Sequence, residues 1–236
     1  LREDAPRLAA DWLELMQFLA TYYQRPLGET VIASLPPRLR SVKPLPRKVL
    51  QAENDLGSTR FVPNHVLGED QQAAADRIAA ALGCFGAYLL HGITGSGKTE
   101  VYIRLIKDKL EENKTVLMLI PEIALTTQLI TRLRAAFGEI VGVYHSRFSE
   151  NERVEIWNNV LGGDGDVEGR RYKIILGARS SLFLPFSDLG LVIVDEEHDS
   201  SFKQHDPSPR YHARDAALFL ASMHGANVLL GSATPS

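Results

Sequence analysis

Apolar residues at Leu8, Trp12, Leu15, Leu19 and Tyr22 recur at three- and four-residue intervals and predict one helical face over 7–24. Pro26 and Gly28 should end that helix, and Thr30 to Ala33 reads as a short strand. Between Pro36 and Lys48 the pattern disappears under four prolines and five basic residues, which predicts an extended, solvated linker. From residue 67 a different rhythm begins. Helical spacing near 69–82, 98–112, 123–137, 149–161 and 212–223 alternates with short apolar runs at 87–91, 115–120, 140–144, 173–177, 191–194 and 227–230. Tyr102, Ile106 and Leu110 stripe the second of these helices, and Asn113 suits a left-handed stop after it. Nearly continuous apolar runs are what strands buried on both faces of a parallel sheet require. The prediction is an α/β fold: a three-layer sandwich with a mostly parallel sheet and its ligand at the carboxyl ends of the strands, preceded by a small, partial N-terminal module. The expected divisions are 1–40, a linker at 41–66, and a main lobe at 67–236.

Composition narrows the classes. With 44% hydrophobic residues in 236, the chain can bury a full core, and its net charge of −3 supplies no global basic field. Any nucleic-acid contact must therefore be local. Cys84 is the single cysteine, which excludes both a disulfide framework and a cysteine-based zinc site in this sequence. No apolar run approaches the ~20 residues needed to cross a bilayer, and no secretory signal opens the sequence. We expect a cytoplasmic protein with no membrane partner. The chain opens without Met and stops just past a strand-like run, so it reads as a fragment.

Two stretches carry chemistry. Gly92-Ile93-Thr94-Gly95-Ser96-Gly97-Lys98-Thr99 fits G-x-x-x-x-G-K-[ST] at every fixed position. Small residues let several backbone N–H groups converge on a triphosphate, Lys98 brings a point charge, and Thr99 offers a hydroxyl to Mg²⁺. Farther on, the apolar run Leu191–Val194 leads straight into Asp195-Glu196-Glu197-His198. A buried strand delivering acids at its carboxyl end suits the opposite side of a Mg²⁺–ATP site. There Asp195 would hold Mg²⁺ with Thr99, and Glu196 would take a proton from attacking water. Lys98, Asp195 and Glu196 are thus the expected catalytic set, and Gly92, Thr94, Gly95, Ser96, Gly97, Lys98 and Thr99 the expected nucleotide cradle.

The combination Asp-Glu-x-His with a terminal Gly231-Ser232-Ala233-Thr234-Pro235 resembles superfamily 2 helicases, in which a Ser-Ala-Thr segment links the acids to the nucleic-acid side. The resemblance narrows with His91 to Tyr102, Pro121-Glu122-Ile123-Ala124-Leu125-Thr126, His145-Ser146 with Glu152-Arg153, Pro185-Phe186, Asp195 to Gln204, and Arg210-Tyr211-His212-Ala213-Arg214-Asp215. These are similar to the PriA family of replication-restart helicases over residues 67–236. Residues 18–40 resemble the tail of that family's N-terminal DNA-binding domain. The resemblance implies a RecA-like P-loop NTPase lobe, the first of two, in a 3′→5′ DNA helicase that acts at stalled or abandoned forks. It implies that Gln71 reads adenine, whereas a surface glutamine opening a helix is the bland alternative. It implies an aromatic-rich sensor of single-stranded DNA at 199–214, in which Phe202 and Tyr211 stack on bases while Lys203, Arg210 and Arg214 meet phosphates, whereas a polar surface loop that anchors the next helix is the bland alternative. Arg179, His198, Ser232 and Thr234 would complete the DNA-coupling set. Single-stranded and forked DNA, primosome proteins and single-strand-binding proteins are the implied partners.

The chain departs from the family in two places. Ala178 stands where members commonly carry a threonine, and only about 25 residues occupy the position of a winged-helix domain, which reads as absent or lost. The second lobe, with its arginine finger and zinc module, would lie beyond Ser236, so zinc is expected only there. Alone, the lobe should bind ATP–Mg²⁺ weakly and turn it over very slowly. Two other readings share parts of this pattern: a different superfamily 2 translocase (an RNA helicase or restriction type), and a nucleotide-sensing interaction module.

Overall fold

The computed structural model describes residues 8–40, 67–80, 84–93, 95–121, 127–145, 148–161 and 172–235. The expected linker at 41–66, and with it most of the basic, proline-rich stretch, lies outside them, as do Thr94, residues 122–126 and Ser146.

Six strands form one sheet: β1 (Gly86–His91), β2 (Thr115–Leu119), β3 (Val141–Tyr144), β4 (Ile174–Gly177), β5 (Leu189–Asp195) and β6 (Asn227–Ser232). Their order is β1-β6-β5-β2-β4-β3, and every pair is parallel. The central strands bury both faces. In β5, Leu191 and Ile193 face one core while Val192 and Val194 face the other, as the two-residue period demands. The edge strand β1 departs from the expected burial. Its residues alternate between half-buried and exposed, with Tyr88 and Leu90 packed inward and Leu89 on the open face.

Helices cover both faces. On one lie α3 (Glu69–Ala79), α4 (Lys98–Glu111) and α5 (Thr127–Phe137). On the other lie α1 (Ala10–Tyr22), α6 (Glu150–Leu161) and α7 (Ala213–Met223), with α2 (Leu27–Ser34) beside α1. Asn113 ends α4 at a φ of +57°, the left-handed stop its side chain tolerates.

Helix α1 stops at Tyr22, within the expected 7–24, with Gln24 left-handed at a φ of +52°. Two N-terminal expectations are corrected. Pro26 precedes α2, and the segment expected to be a strand is helical. Proline's fixed φ suits a helix start, the Thr30 hydroxyl donates to the Pro26 carbonyl at 3.2 Å, and the Ser34 hydroxyl to the Thr30 carbonyl at 2.8 Å. The N-terminal residues also do not stand apart from the lobe. Trp12, Leu15, Met16 and Leu19 enter the same core as β2, β5 and α7, and Trp12 Nε1 donates to the buried Phe183 carbonyl at 2.7 Å. Phe18 stacks on Phe219 of α7 with ring centroids 3.8 Å apart.

Candidate nucleotide and coupling site

The strand order brings three carboxyl ends side by side. Ser232 of β6 pairs with His91 of β1, and Gly231 pairs with Asp195 of β5. The glycine-rich loop after β1, the acids after β5 and the Ser-Ala-Thr segment after β6 therefore open on one face.

The loop runs into the N-terminus of α4, whose orphan N–H groups and positive dipole end make a ready anion site. Gly97 caps that helix at a φ of +82°, where only glycine rests without strain, and a β-carbon there would strike the Gln71 amide. Lys98 opens the helix. Its ammonium donates to the Gly92 carbonyl at 2.7 Å and lies 3.7 Å from Glu196 Oε1. The lysine thus joins the loop to the acids across the site. Glu196 itself sits at a φ of +51°, a cost of order 1–3 kcal/mol for a non-glycine residue that the surrounding structure must offset.

Asp195 is more enclosed. Burial raises its carboxyl above the usual range, and the Tyr102 hydroxyl, donating to Oδ1 at 2.8 Å, opposes that rise. The same burial holds the Tyr102 phenol far above its ordinary value, so it stays a donor. Among the described residues no cluster of three or more His, Cys, Asp or Glu forms a metal cage. An ion held by one carboxylate, one threonine hydroxyl and nucleotide phosphates would need none.

Gln71 has two partners. Its Oε1 accepts the Gly68 N–H at 2.9 Å, a capping interaction for α3, and its Nε2 donates to the Ser96 carbonyl at 2.9 Å. It is thus neither a plain surface residue nor a free side chain; it ties α3 to the glycine-rich loop.

A second network leaves the acids toward the Ser-Ala-Thr segment after β6. His198 Nε2 lies 3.8 Å from Glu196 Oε2, and His198 Nδ1 shares a 2.8 Å hydrogen bond with Ser232 Oγ. Ser232 Oγ also accepts the Thr234 N–H at 3.2 Å. Glu196, His198, Ser232 and Thr234 form a continuous chain of contacts.

The 199–214 loop differs from expectation. Phe202 and Tyr211 are both 1% exposed and belong to the core, with Tyr211 meeting Phe183 edge-on at 4.9 Å between centroids. Neither ring faces solvent, so the expected base stacking is corrected: the two aromatics fasten the loop from beneath. Arg179 donates to the Ser201 carbonyl at 2.8 Å, and Lys203 donates to the Arg210 carbonyl at 2.6 Å while lying over the Tyr23 ring. Arg214 is bound to Glu197, which is 3% exposed, at 2.7 Å. These three cations brace the loop, whereas Arg210 is exposed. Glu197 and Tyr23 were missed by the sequence reading. Tyr23 accepts the His212 N–H at 2.9 Å, and burial lowers the His212 pKa, keeping Nδ1 free to accept the Arg214 N–H as the cap of α7. The third acid in Asp-Glu-Glu was the available signal for Glu197. Nothing in the local pattern pointed to Tyr23, because its partner is 189 residues away.

With this geometry in view, the comparisons are specific. A family model described as DEAD/DEAH box helicase matches residues 69–236. The chain is 44% identical to the replication restart protein PriA of Chlamydia pneumoniae over 172 residues, 72% of this chain and 22% of that protein. It is 39% identical to the PriA of Helicobacter pylori over 224 residues, 95% of this chain and 32% of that protein. The chain thus spans between about a fifth and a third of the length of these two curated relatives. Among solved structures, RecG bound to a three-way DNA junction matches 95% of this chain and 27% of its own, with a TM-score of 0.50 at 18% identity. That likeness establishes the RecA-like α/β fold.

Proposed function

The chain belongs to the DEAD/DEAH box helicase family, and we propose that it is the ATP-binding lobe of a DNA helicase that restarts replication at stalled or abandoned forks. Membership implies nucleotide use with a metal ion. The observation that carries the finer reading is the Lys98–Glu196 approach of 3.7 Å, which brings the glycine-rich loop and the strand-end acids onto one site.

In this reading the backbone of Gly92, Thr94, Gly95, Ser96 and Gly97 cradles the phosphates, and Lys98 meets the β/γ-phosphates. The fit rests on the left-handed Gly97, where a β-carbon would collide, and on the half-buried Asp195 across from it. Thr99 and Asp195 would hold Mg²⁺, which when bound neutralises charge developing on the transferred phosphoryl. Glu196 accepts the proton of the attacking water. Gln71, hydrogen-bonded to the loop through Nε2, recognises adenine with its side-chain amide. His198, Ser232 and Thr234 carry the state of Glu196 toward bound DNA, and Arg210 offers the exposed cation of the 199–214 segment. On the family resemblance we further propose the 3′→5′ direction, the forked substrate, primosome and single-strand-binding partners and a cytoplasmic setting. Among the described residues no helix is long and apolar enough to cross a membrane.

The test is the ATPase of the intact protein with single-stranded DNA, forked DNA or RNA, for wild type and Glu196→Gln. We expect DNA to stimulate and RNA not to, and E196Q to lower turnover roughly 10²-fold or more while nucleotide binding survives. RNA stimulation would assign another translocase. Full function of E196Q would assign a sensor module.

A further inference from the structure

Tyr102 lies on α4 one turn after Lys98 and Thr99, on the helix face shared by i, i+3 and i+4. It is fully buried, and its hydroxyl donates to Asp195 Oδ1 at 2.8 Å. The hydroxyl also abuts Gly231 of β6, where a β-carbon would collide with it and come within 3.0 Å of Asp195 Oδ1. Three elements, α4, β5 and β6, therefore meet at one phenol oxygen. Those are the elements that carry the phosphate lysine, the metal-side acid and the coupling serine.

We propose that Tyr102 is a positioning residue for the metal-holding carboxylate: by occupying Oδ1 it fixes the Asp195 rotamer and leaves the other oxygen for the hydrated ion that accompanies the nucleotide. This rests on the nucleotide-site reading above. The geometry favours it over a tyrosine that merely fills the core. A filler needs any acceptor, whereas this hydroxyl takes one oxygen of Asp195, the acid that closes β5. It also belongs to the helix that presents Lys98, so phosphate and metal groups are held in register by one rigid segment. Outer partners of metal-holding carboxylates commonly influence metal affinity by 10–100-fold.

The experiment measures binding of a fluorescent ATP analogue, mant-ATP, to this chain in EDTA and across a MgCl₂ titration, for wild type and Tyr102→Phe. We expect Y102F to bind mant-ATP in EDTA as wild type does, which also reports an intact fold. The Mg²⁺ concentration giving the half-maximal response should rise roughly tenfold. Replacement of Tyr102 by 3-fluorotyrosine, which keeps shape and donor, should hold that midpoint within about twofold. An unchanged Mg²⁺ midpoint in Y102F, or equal weakening with and without metal, would overturn the proposal in favour of simple packing. Wild type failing to bind mant-ATP under any condition would overturn the nucleotide reading itself, and this inference with it.

Discussion

At the glycine-rich loop, the groups that face the site are backbone amides, two left-handed glycines and one lysine tied to a carbonyl. Along 199–214, the groups expected to face a ligand point the other way. Phe202 and Tyr211 are core residues, and Arg179, Lys203 and Arg214 hold the loop's own carbonyls or the buried Glu197. The first region is built to be filled. The second is built to be held in place, and held by contacts that end close to Glu196. A loop whose anchors reach the acids can pass on a displacement, which a freely solvated loop could not. Aromatic rings and arginines in a segment whose sequence suggests nucleic-acid binding therefore need not be contacts. Here they supply the stiffness that would make a contact elsewhere consequential.

The sharpest way to break this contrast is Phe202→Ala. A base-stacking ring at the surface costs little stability when removed, whereas a buried ring costs about 3–5 kcal/mol. We expect urea unfolding of F202A to fall in that upper range. A change below about 0.5 kcal/mol would return Phe202 to the surface. Next in size is Arg214→Met. Removing the cation bound to a carboxylate that is 3% exposed should cost about 3 kcal/mol, the low end for a buried pair because Arg214 is 30% exposed. Glu197→Gln in the same background should recover much of that loss, and a double mutant as unstable as the sum of both singles would deny the pairing.

The main lobe was legible because its signals are local. Apolar runs four to six residues long, set between helical stretches, fit strands in a sheet covered on both sides, and a glycine-rich run before a helix suggests its own ligand chemistry. The strand boundaries moved by a residue or two, and Asn113 stopped its helix as expected. The segment 30–33 was misread because β-branched Thr30 and Val31 suggest a strand. Pro26 and the side-chain bonds of Thr30 and Ser34 to the helix backbone outweigh that preference.

In the site, Lys98, Asp195, Glu196, His198 and Ser232 lie close together because each sits at the end of an element that the sheet order aligns. What sequence could not give was orientation. Whether Phe202 faces a base or the core depends on the cluster it joins, whose members on α1 are remote in the chain. Tyr102 and Tyr23 escaped for the same reason, because their partners are 93 and 189 residues away.

The central claim is that the cradle ending at Lys98 is a nucleotide site, distinct in construction from the braced loop beside it. The direct measurement is equilibrium binding of mant-ATP with Mg²⁺ to this chain, wild type against Lys98→Ala, with thermal unfolding recorded on both. The account predicts measurable binding by wild type, roughly 10²-fold weaker binding by K98A (about 2.7 kcal/mol), and closely similar unfolding of the two proteins. Equal binding by the two proteins, or binding lost only because K98A unfolds, would contradict it.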